Sequence, residues 1–195
     1  GSLLPGNLDG VSVTVNGKPA PVFFTSPGQI NAIAPSNLSE GPATVVVSNN
    51  LSSSAVFNGA TIASASPSFF IYGAGGKFYP AAVRLDGTLV GDPAVQANSA
   101  KVKPGDTILL FANGLGASDG NVVAAPAAFP SAGMSVNAGS NALEVLGAAL
   151  VYAGEYQVNV KIPATLAPGD YNLTIAVPGG SSAGNGITVT LPVGE

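Results

Sequence analysis

The sequence predicts an all-β protein built of two sandwich-type modules in tandem. Three observations carry this expectation: a composition rich in turn formers and poor in charge, short apolar runs divided at close intervals by Gly, Pro, Asn and Ser, and an internal repeat at fixed spacing. Of 195 residues, 26 are Gly and 16 are Pro, while 46% are hydrophobic and only 8% charged. Turns therefore alternate with short strand-type runs, as in many-stranded β proteins. The low charge and high apolar content exclude a disordered chain. The length suits one large β domain or two small ones.

In chain order, the first third holds strand-type runs at Val11–Val15, Pro21–Thr25, Gln29–Ala34, Ala43–Val47 and Ala55–Ala63. Asn16-Gly17 predicts a hairpin turn, because this pair tolerates positive φ at both central positions. Asp86-Gly87 is expected to do the same between Ala82–Leu85 and Thr88–Val90. Ser26-Pro27-Gly28 suits a type II turn, with proline at i+1 and glycine at i+2. Ala63–Pro67 is small and polar, and Ser68–Tyr72 opens a new apolar run, so the modules are expected to cover residues 1–66 and 67–195. Lys103–Gly116 reads as an early sandwich strand followed by a glycine turn. Nothing before Val11 corresponds to it, so the first module is expected either to be a half-sandwich leaning on the second or, the favoured reading, to have its early strands upstream. No segment supports a helix of ordinary length.

The repeat emerges when the chain is slid against itself by 128 residues (157 − 29). Phe24 then falls on Tyr152, Gln29 on Gln157, Asn31 on Asn159, Pro35 on Pro163, Leu38 on Leu166, Gly41 on Gly169, Val45 on Leu173 and Val47 on Ile175. Identities sit at turn or polar positions and the apolar exchanges are conservative, as expected of two copies of one β unit. Within Gln157–Ile162, Val158, Val160 and Ile162 alternate with polar residues, so one face is expected to be buried. Ile30, Ala32 and Ala34 give the weaker first copy. Tyr171, after Pro168-Gly-Asp, is placed like the corner tyrosine of immunoglobulin-like sandwiches, its phenol reaching backbone near the start of the strand. The first copy has Ala43 there.

The residue inventory removes several function classes. Net charge is −4, and Lys18, Lys77, Arg84, Lys101, Lys103 and Lys161 form no cluster, which argues against nucleic acid as a partner. Mean hydropathy is +0.41, yet no run approaches the roughly 18 apolar residues of a spanning helix, so membrane insertion is not expected. Histidine and cysteine are absent, removing the commonest general base, the commonest metal ligand and the thiol nucleophile. No enzyme and no cofactor are expected. Asp86 and Asp92 form the closest carboxylate pair for glycoside hydrolysis, but each precedes a turn residue. Asp119-Gly120-Asn121 offers only a fragment of a calcium loop. Gly73-Ala-Gly75-Gly76 and Asn113-Gly-Leu-Gly116 lack the following helix that a phosphate cradle requires.

Two groups remain as candidate ligand contacts. Tyr72, Phe78 and Tyr79, close to Phe69 and Phe70, could form a sugar-stacking platform, although packing is the favoured role for aromatics in such a module. Gln29, Asn31, Gln157 and Asn159 occupy outward-type positions in both copies; hydrogen bonding within the fold is favoured over ligand contact.

Val11-Ser-Val-Thr-Val-Asn-Gly17, Ala20-Pro-Val-Phe-Phe-Thr-Ser-Pro-Gly-Gln-Ile-Asn31, Asn113-Gly-Leu-Gly116 and Tyr156-Gln-Val-Asn-Val-Lys-Ile-Pro163 together resemble the Solibacter-type C-terminal domain of large secreted acidobacterial proteins. The resemblance covers nearly the whole chain. At Gly169-Asp-Tyr171 and Gly179-Gly-Ser-Ser182 the halves are also similar to IPT/TIG immunoglobulin-like modules. It implies two tandem IPT/TIG-type β-sandwiches in a bacterial protein that is secreted or held at the cell surface, with other domains of the parent protein as partners. The family pattern has a longer glycine-rich loop where Tyr152-Ala-Gly154 here runs directly into Glu155-Tyr156. The expected role is a non-catalytic structural or interaction module, a spacer or terminal domain. The alternative is a carbohydrate- or surface-binding module, whose partner would be a polysaccharide or cell-surface component.

Overall fold

Alternating side chains and glycine-marked reversals leave strands as the only regular elements among the described residues, which are 2–116, 122–123 and 127–195 of the computed structural model. The first seven are β1 (Ser2–Leu3), β2 (Ser12–Val15), β3 (Lys18–Ala20), β4 (Val22–Ser26), β5 (Gln29–Ala32), β6 (Gly41–Ser48) and β7 (Phe57–Ile62). Then come β8 (Ser68–Phe69), β9 (Ile71–Ala74), β10 (Lys77–Pro80), β11 (Ala82–Arg84), β12 (Leu89–Val90), β13 (Ser99–Ala100) and β14 (Thr107–Asn113). The last are β15 (Val122–Val123), β16 (Ala127–Phe129), β17 (Ser135–Ala138), β18 (Asn141–Tyr152), β19 (Glu155–Lys161), β20 (Gly169–Val177), β21 (Gly180–Ser181) and β22 (Thr190–Val193). Among the described residues the fold is all-β, with several sheets and no closed barrel. No helix long and apolar enough to cross a membrane occurs among the described residues.

The chain divides into two compact units. The first comprises Gly1–Ser64, Ala117–Ala125 and Tyr152–Gly154; the second comprises Ala65–Gly116, Pro126–Val151 and Glu155–Glu195.

In the first unit a four-stranded sheet runs β3-β2-β6-β7, and β4 and β5 form a separate hairpin. Val13 and Val15 alternate with Ser12 and Thr14 along β2, so one face is buried. With Ala20, Val22 and Ala43 they make the core, against which Leu8, Ile30, Ala32 and Leu38 pack. These are small residues. The resulting core is thin, and burial of β-branched and alanine side chains supplies less apolar area than the Leu, Ile and Tyr of the second unit.

The second unit is organised around β14 and β19, which pair antiparallel with Ile108 opposite Val160, Leu110 opposite Val158 and Ala112 opposite Tyr156. All six are buried. Directly opposed residues share a face of the sheet, so their shared face is a continuous apolar surface. Val136 and Ala138 of β17, Leu173 and Ile175 of β20, and Leu191 of β22 belong to the same core. One hydrogen-bonded path, β13-β12-β11-β14-β19-β18-β17-β20-β21, thus places residues from both its halves around one interior, consistent with a β-sandwich. The twelve-residue β18 makes the link: Asn141–Leu143 pair with β17, whereas Ala148–Leu150 pair with β16.

Turn chemistry follows the sequence at one hairpin and departs from it at two. Asn16 and Gly17 both have positive φ, 49° and 73°, the pattern of a type I′ hairpin turn. At Asp86-Gly87 only Gly87 does, with φ 83°. There Gly87 N–H donates to Arg84 C=O and Arg84 N–H to Thr88 C=O, which marks a type I turn closed by a left-handed glycine rather than the expected equivalent of Asn16-Gly17. Gly28 is not among the positive-φ glycines, so Ser26-Pro27-Gly28 is not a type II turn. The β4–β5 hairpin nevertheless closes there, with Ser26 opposite Gln29.

The backbone bond expected of Tyr171 is present: its Oη donates to Ala167 C=O at 2.9 Å, tying down the approach to β20. The strands matched by the 128-residue shift also begin alike: β6 starts at Gly41 and β20 at Gly169, with φ 121° and 156°.

Candidate functional site

β9 and β10 form a hairpin in which Tyr79 lies opposite Tyr72, and Phe78 opposite Gly73. Alternation therefore puts Phe78 on one face and the two tyrosines on the other. The tyrosine rings stack, with centroids 5.5 Å apart and planes at 26°. Tyr79 is only 2% exposed. Tyr72 is half-buried and its Oη donates to Val90 C=O at 2.6 Å. Gly91 permits this approach, since a Cβ there would lie 2.2 Å from the Tyr72 hydroxyl. Phe78 is 46% exposed and covers Gly73, whose missing Cβ would be 3.7 Å from its ring. The three aromatics thus do not make one exposed, coplanar platform. Phe69 is buried in the core, and Phe70 is 39% exposed.

Burial, and after it the neighbouring Tyr79, raises the Tyr72 phenol above its ordinary value of 10.0. The folded protein keeps this proton at a pH where the unfolded chain has released it. The associated stability is fully present below the unfolded value and is lost as pH rises through the folded one. Tyr72→Phe is expected to cost about 1 kcal/mol at neutral pH, the net worth of one hydrogen bond. The gap between the two proteins' urea midpoints should then shrink as the buffer becomes strongly alkaline. A gap that stays constant or widens would show that Tyr72 does not titrate as a buried phenol.

The four amide candidates pair along their own strands. Gln29 Nε2 donates to Asn31 Oδ1 at 2.7 Å, and Gln157 Nε2 donates to Asn159 Oδ1 at 2.9 Å. Both pairs lie on one strand, two residues apart, where side chains share a face. On β19 that face also carries Phe111 and Leu109 of β14, opposite Gln157 and Asn159 respectively. Each amide is therefore partly satisfied within its own strand.

Four carboxylates are committed to turns and ion pairs. Asp86 Oδ1 accepts the Thr88 N–H at 2.9 Å, and hydrogen bonds from the Thr88 backbone and then its hydroxyl hold the Asp86 carboxyl below its ordinary range. That direction is opposite to what a glycosidase general acid requires. Asp92 Oδ1 accepts the Ala94 N–H at 3.1 Å, and its other oxygen lies 3.7 Å from Lys101 Nζ. Asp106 accepts the Lys103 N–H at 2.9 Å and pairs with Arg84 at 3.2 Å. Lys77 pairs with Asp170, whose hydrogen bond raises the Lys77 ammonium above its ordinary value. Among the described residues no three acidic groups gather as a metal site would need. The calcium fragment Asp119-Gly120-Asn121 lies outside the described residues.

One concavity was not anticipated. A cleft, open to solvent, is lined in the second unit by Ser68, Phe69, Asn172, Thr174, Asn185 and Ile187, among others. Asn185 Nδ2 is engaged by Pro67 C=O at 3.0 Å, and the Ser182 hydroxyl, also on the wall, accepts the Ile175 N–H at 2.9 Å. Its walls come from segments more than a hundred residues apart, so no local spacing could reveal it. The chain matches no protein-family model, no curated protein and no solved structure in the comparisons made.

Proposed function

We propose that this chain is a non-catalytic structural or interaction module of a secreted bacterial protein, made of two immunoglobulin-like modules related by duplication and similar to the Solibacter-type C-terminal domain. The observation that carries this reading is that its most reactive side chains hold the fold. Asp86 and Asp92 close turns, Asp106 and Asp170 pair with cations, Tyr72 ties a hairpin to Val90, and the amides bond each other. The corner bond of Tyr171 supports an immunoglobulin-like second module. Matching Gln–Asn bonds, together with glycine-initiated strands at equivalent positions, support duplication. Internally satisfied polar groups suit a spacer or terminal domain whose partners are the other domains of its parent.

A panel of immobilised polysaccharides tests this on the intact chain. No saccharide is expected to be retained specifically, and Phe78→Ala should leave the elution profile unchanged. A specific hit that is lost in Phe78→Ala, with the thermal midpoint unaltered, would replace this reading by the carbohydrate-binding one. A hit lost on Asn172→Ala would point instead to the cleft.

A further inference from the structure

We propose that Asn58-Gly59 is a site of spontaneous deamidation in the folded protein, because it is the one of four Asn-Gly pairs whose local structure leaves the reaction open. The pairs are Asn16-Gly17, Asn58-Gly59, Asn113-Gly114 and Asn185-Gly186. In this reaction the backbone nitrogen of the following glycine attacks the asparagine Cγ. The N–Cγ bond forms, the Cγ–Nδ2 bond breaks, and the amide leaves as ammonia with the glycine N–H proton. Water then opens the cyclic imide at either carbonyl, giving aspartate if the new N–Cγ bond breaks or isoaspartate if the original peptide bond does. No oxidant or enzyme is needed. The side chain must be free to swing onto the backbone, and the glycine must be free to move with it.

Three pairs are restrained. Asn16 Oδ1 accepts the Thr44 N–H at 2.8 Å and the Thr44 hydroxyl at 3.2 Å. Asn185 Nδ2 donates to Pro67 C=O, and its N–H to Ser182 C=O. Asn113 precedes a glycine wedged against another backbone segment: a Cβ on Gly114 would lie 2.0 Å from Ser66 O, and Gly114 C=O accepts the Ser66 N–H at 2.8 Å.

Asn58 differs: what stands closest to Gly59 is no backbone segment but the ring of exposed Phe57, 2.5 Å from where a Cβ would lie and free to rotate away. Asn58 itself is exposed, and its side chain makes no hydrogen bond among the described residues. Among the described residues β7 is an edge strand, paired on one side only. Its register against β6 also shifts at this point: Ala60 faces Ala43 and Phe57 faces Val45, so Asn58 and Gly59 together oppose the single residue Thr44. That is a β-bulge, where ladder pairing is locally interrupted. Thr44 cannot repair it, since its N–H and C=O are both taken by Asn16. An exposed, bulged edge opens at lower free energy than a central strand. The product matters chemically because Gly41–Gly76 contains no charged residue. Conversion would place the first negative charge, and in the isoaspartate form an extra backbone methylene, on that uncharged edge.

Ageing the intact protein in heavy-oxygen water at mildly alkaline pH, followed by peptide mapping, tests the assignment. The unmodified Asn58 peptide should be lost first, with label incorporated and both aspartate and isoaspartate forms appearing, while the Asn16 and Asn185 peptides persist. In concentrated urea the lead of Asn58 should vanish. Survival of Asn58 in the folded protein, or conversion of all four pairs at one rate, overturns the proposal. Asn58→Gln, at an exposed position, should remove the acidic species that accumulates on isoelectric focusing of aged protein. Persistence of that species would also overturn it.

Discussion

Leu110→Ala is expected to destabilise the second unit by about 2 to 5 kcal/mol, the range for truncating a buried leucine that leaves a cavity behind. Leu110 is fully buried on β14, with Ala82 of β11 on one side and Val158 of β19 on the other. Both neighbours are themselves fully or almost fully buried, and a hydrogen-bonded strand on each flank limits how far the backbone can collapse into the void. Leu85, one residue beyond β11 and 73% exposed, is the control: its alanine variant should change stability by no more than about 0.5 kcal/mol. Urea unfolding of the two variants measures the contrast. Equal midpoints would mean that β14 and β19 do not face the shared interior described for them.

The alternation of β19, the strand that flanks Leu110, is legible in the sequence alone. Val158, Val160 and Ile162 against Gln157, Asn159 and Lys161 has one physical reading, a strand with one dry face, and β19 has it. Tyr171 was legible for a similar reason, since its role depends on a short local reach. β18 was not. Asn-Ala-Leu-Glu-Val-Leu-Gly-Ala-Ala-Leu-Val-Tyr mixes good helix formers with β-branched residues and lacks a clean period of two, so its strand state is imposed by pairing with β16, β17 and β19 rather than by local preference. The aromatics show a different limit. Alternation separates Phe78 from Tyr72 and Tyr79, but it does not say which face turns inward, and burial of Tyr79 depends on segments distant in sequence. Turn type was the least legible of all: Pro27-Gly28 permits a positive φ at glycine without requiring it, and Asp86 closes its turn through Thr88 without entering the left-handed region.

Gly114→Ala should be as damaging as truncating the core, for a reason that burial alone does not reveal. Gly114 has φ 67°, where a Cβ costs about 1 to 2 kcal/mol. That Cβ would also stand 2.0 Å from Ser66 O and 2.7 Å from Ser66 C. The obstruction is backbone, tied to Gly114 by the Ser66 N–H bond to its carbonyl, so no side-chain rotation relieves it. Overpacking of this kind adds about 1 to 3 kcal/mol, for a total near 2 to 5 kcal/mol. Gly87→Ala separates the two contributions. Gly87 has φ 83° but nothing within 4 Å of its absent Cβ, and its variant should lose only the left-handed part. If the two alanine variants unfold at the same urea concentration, the close passage of residues 66 and 114 is absent in solution. If Gly114→Ala is clearly the weaker, that backbone contact fixes where β8 begins beside the end of β14.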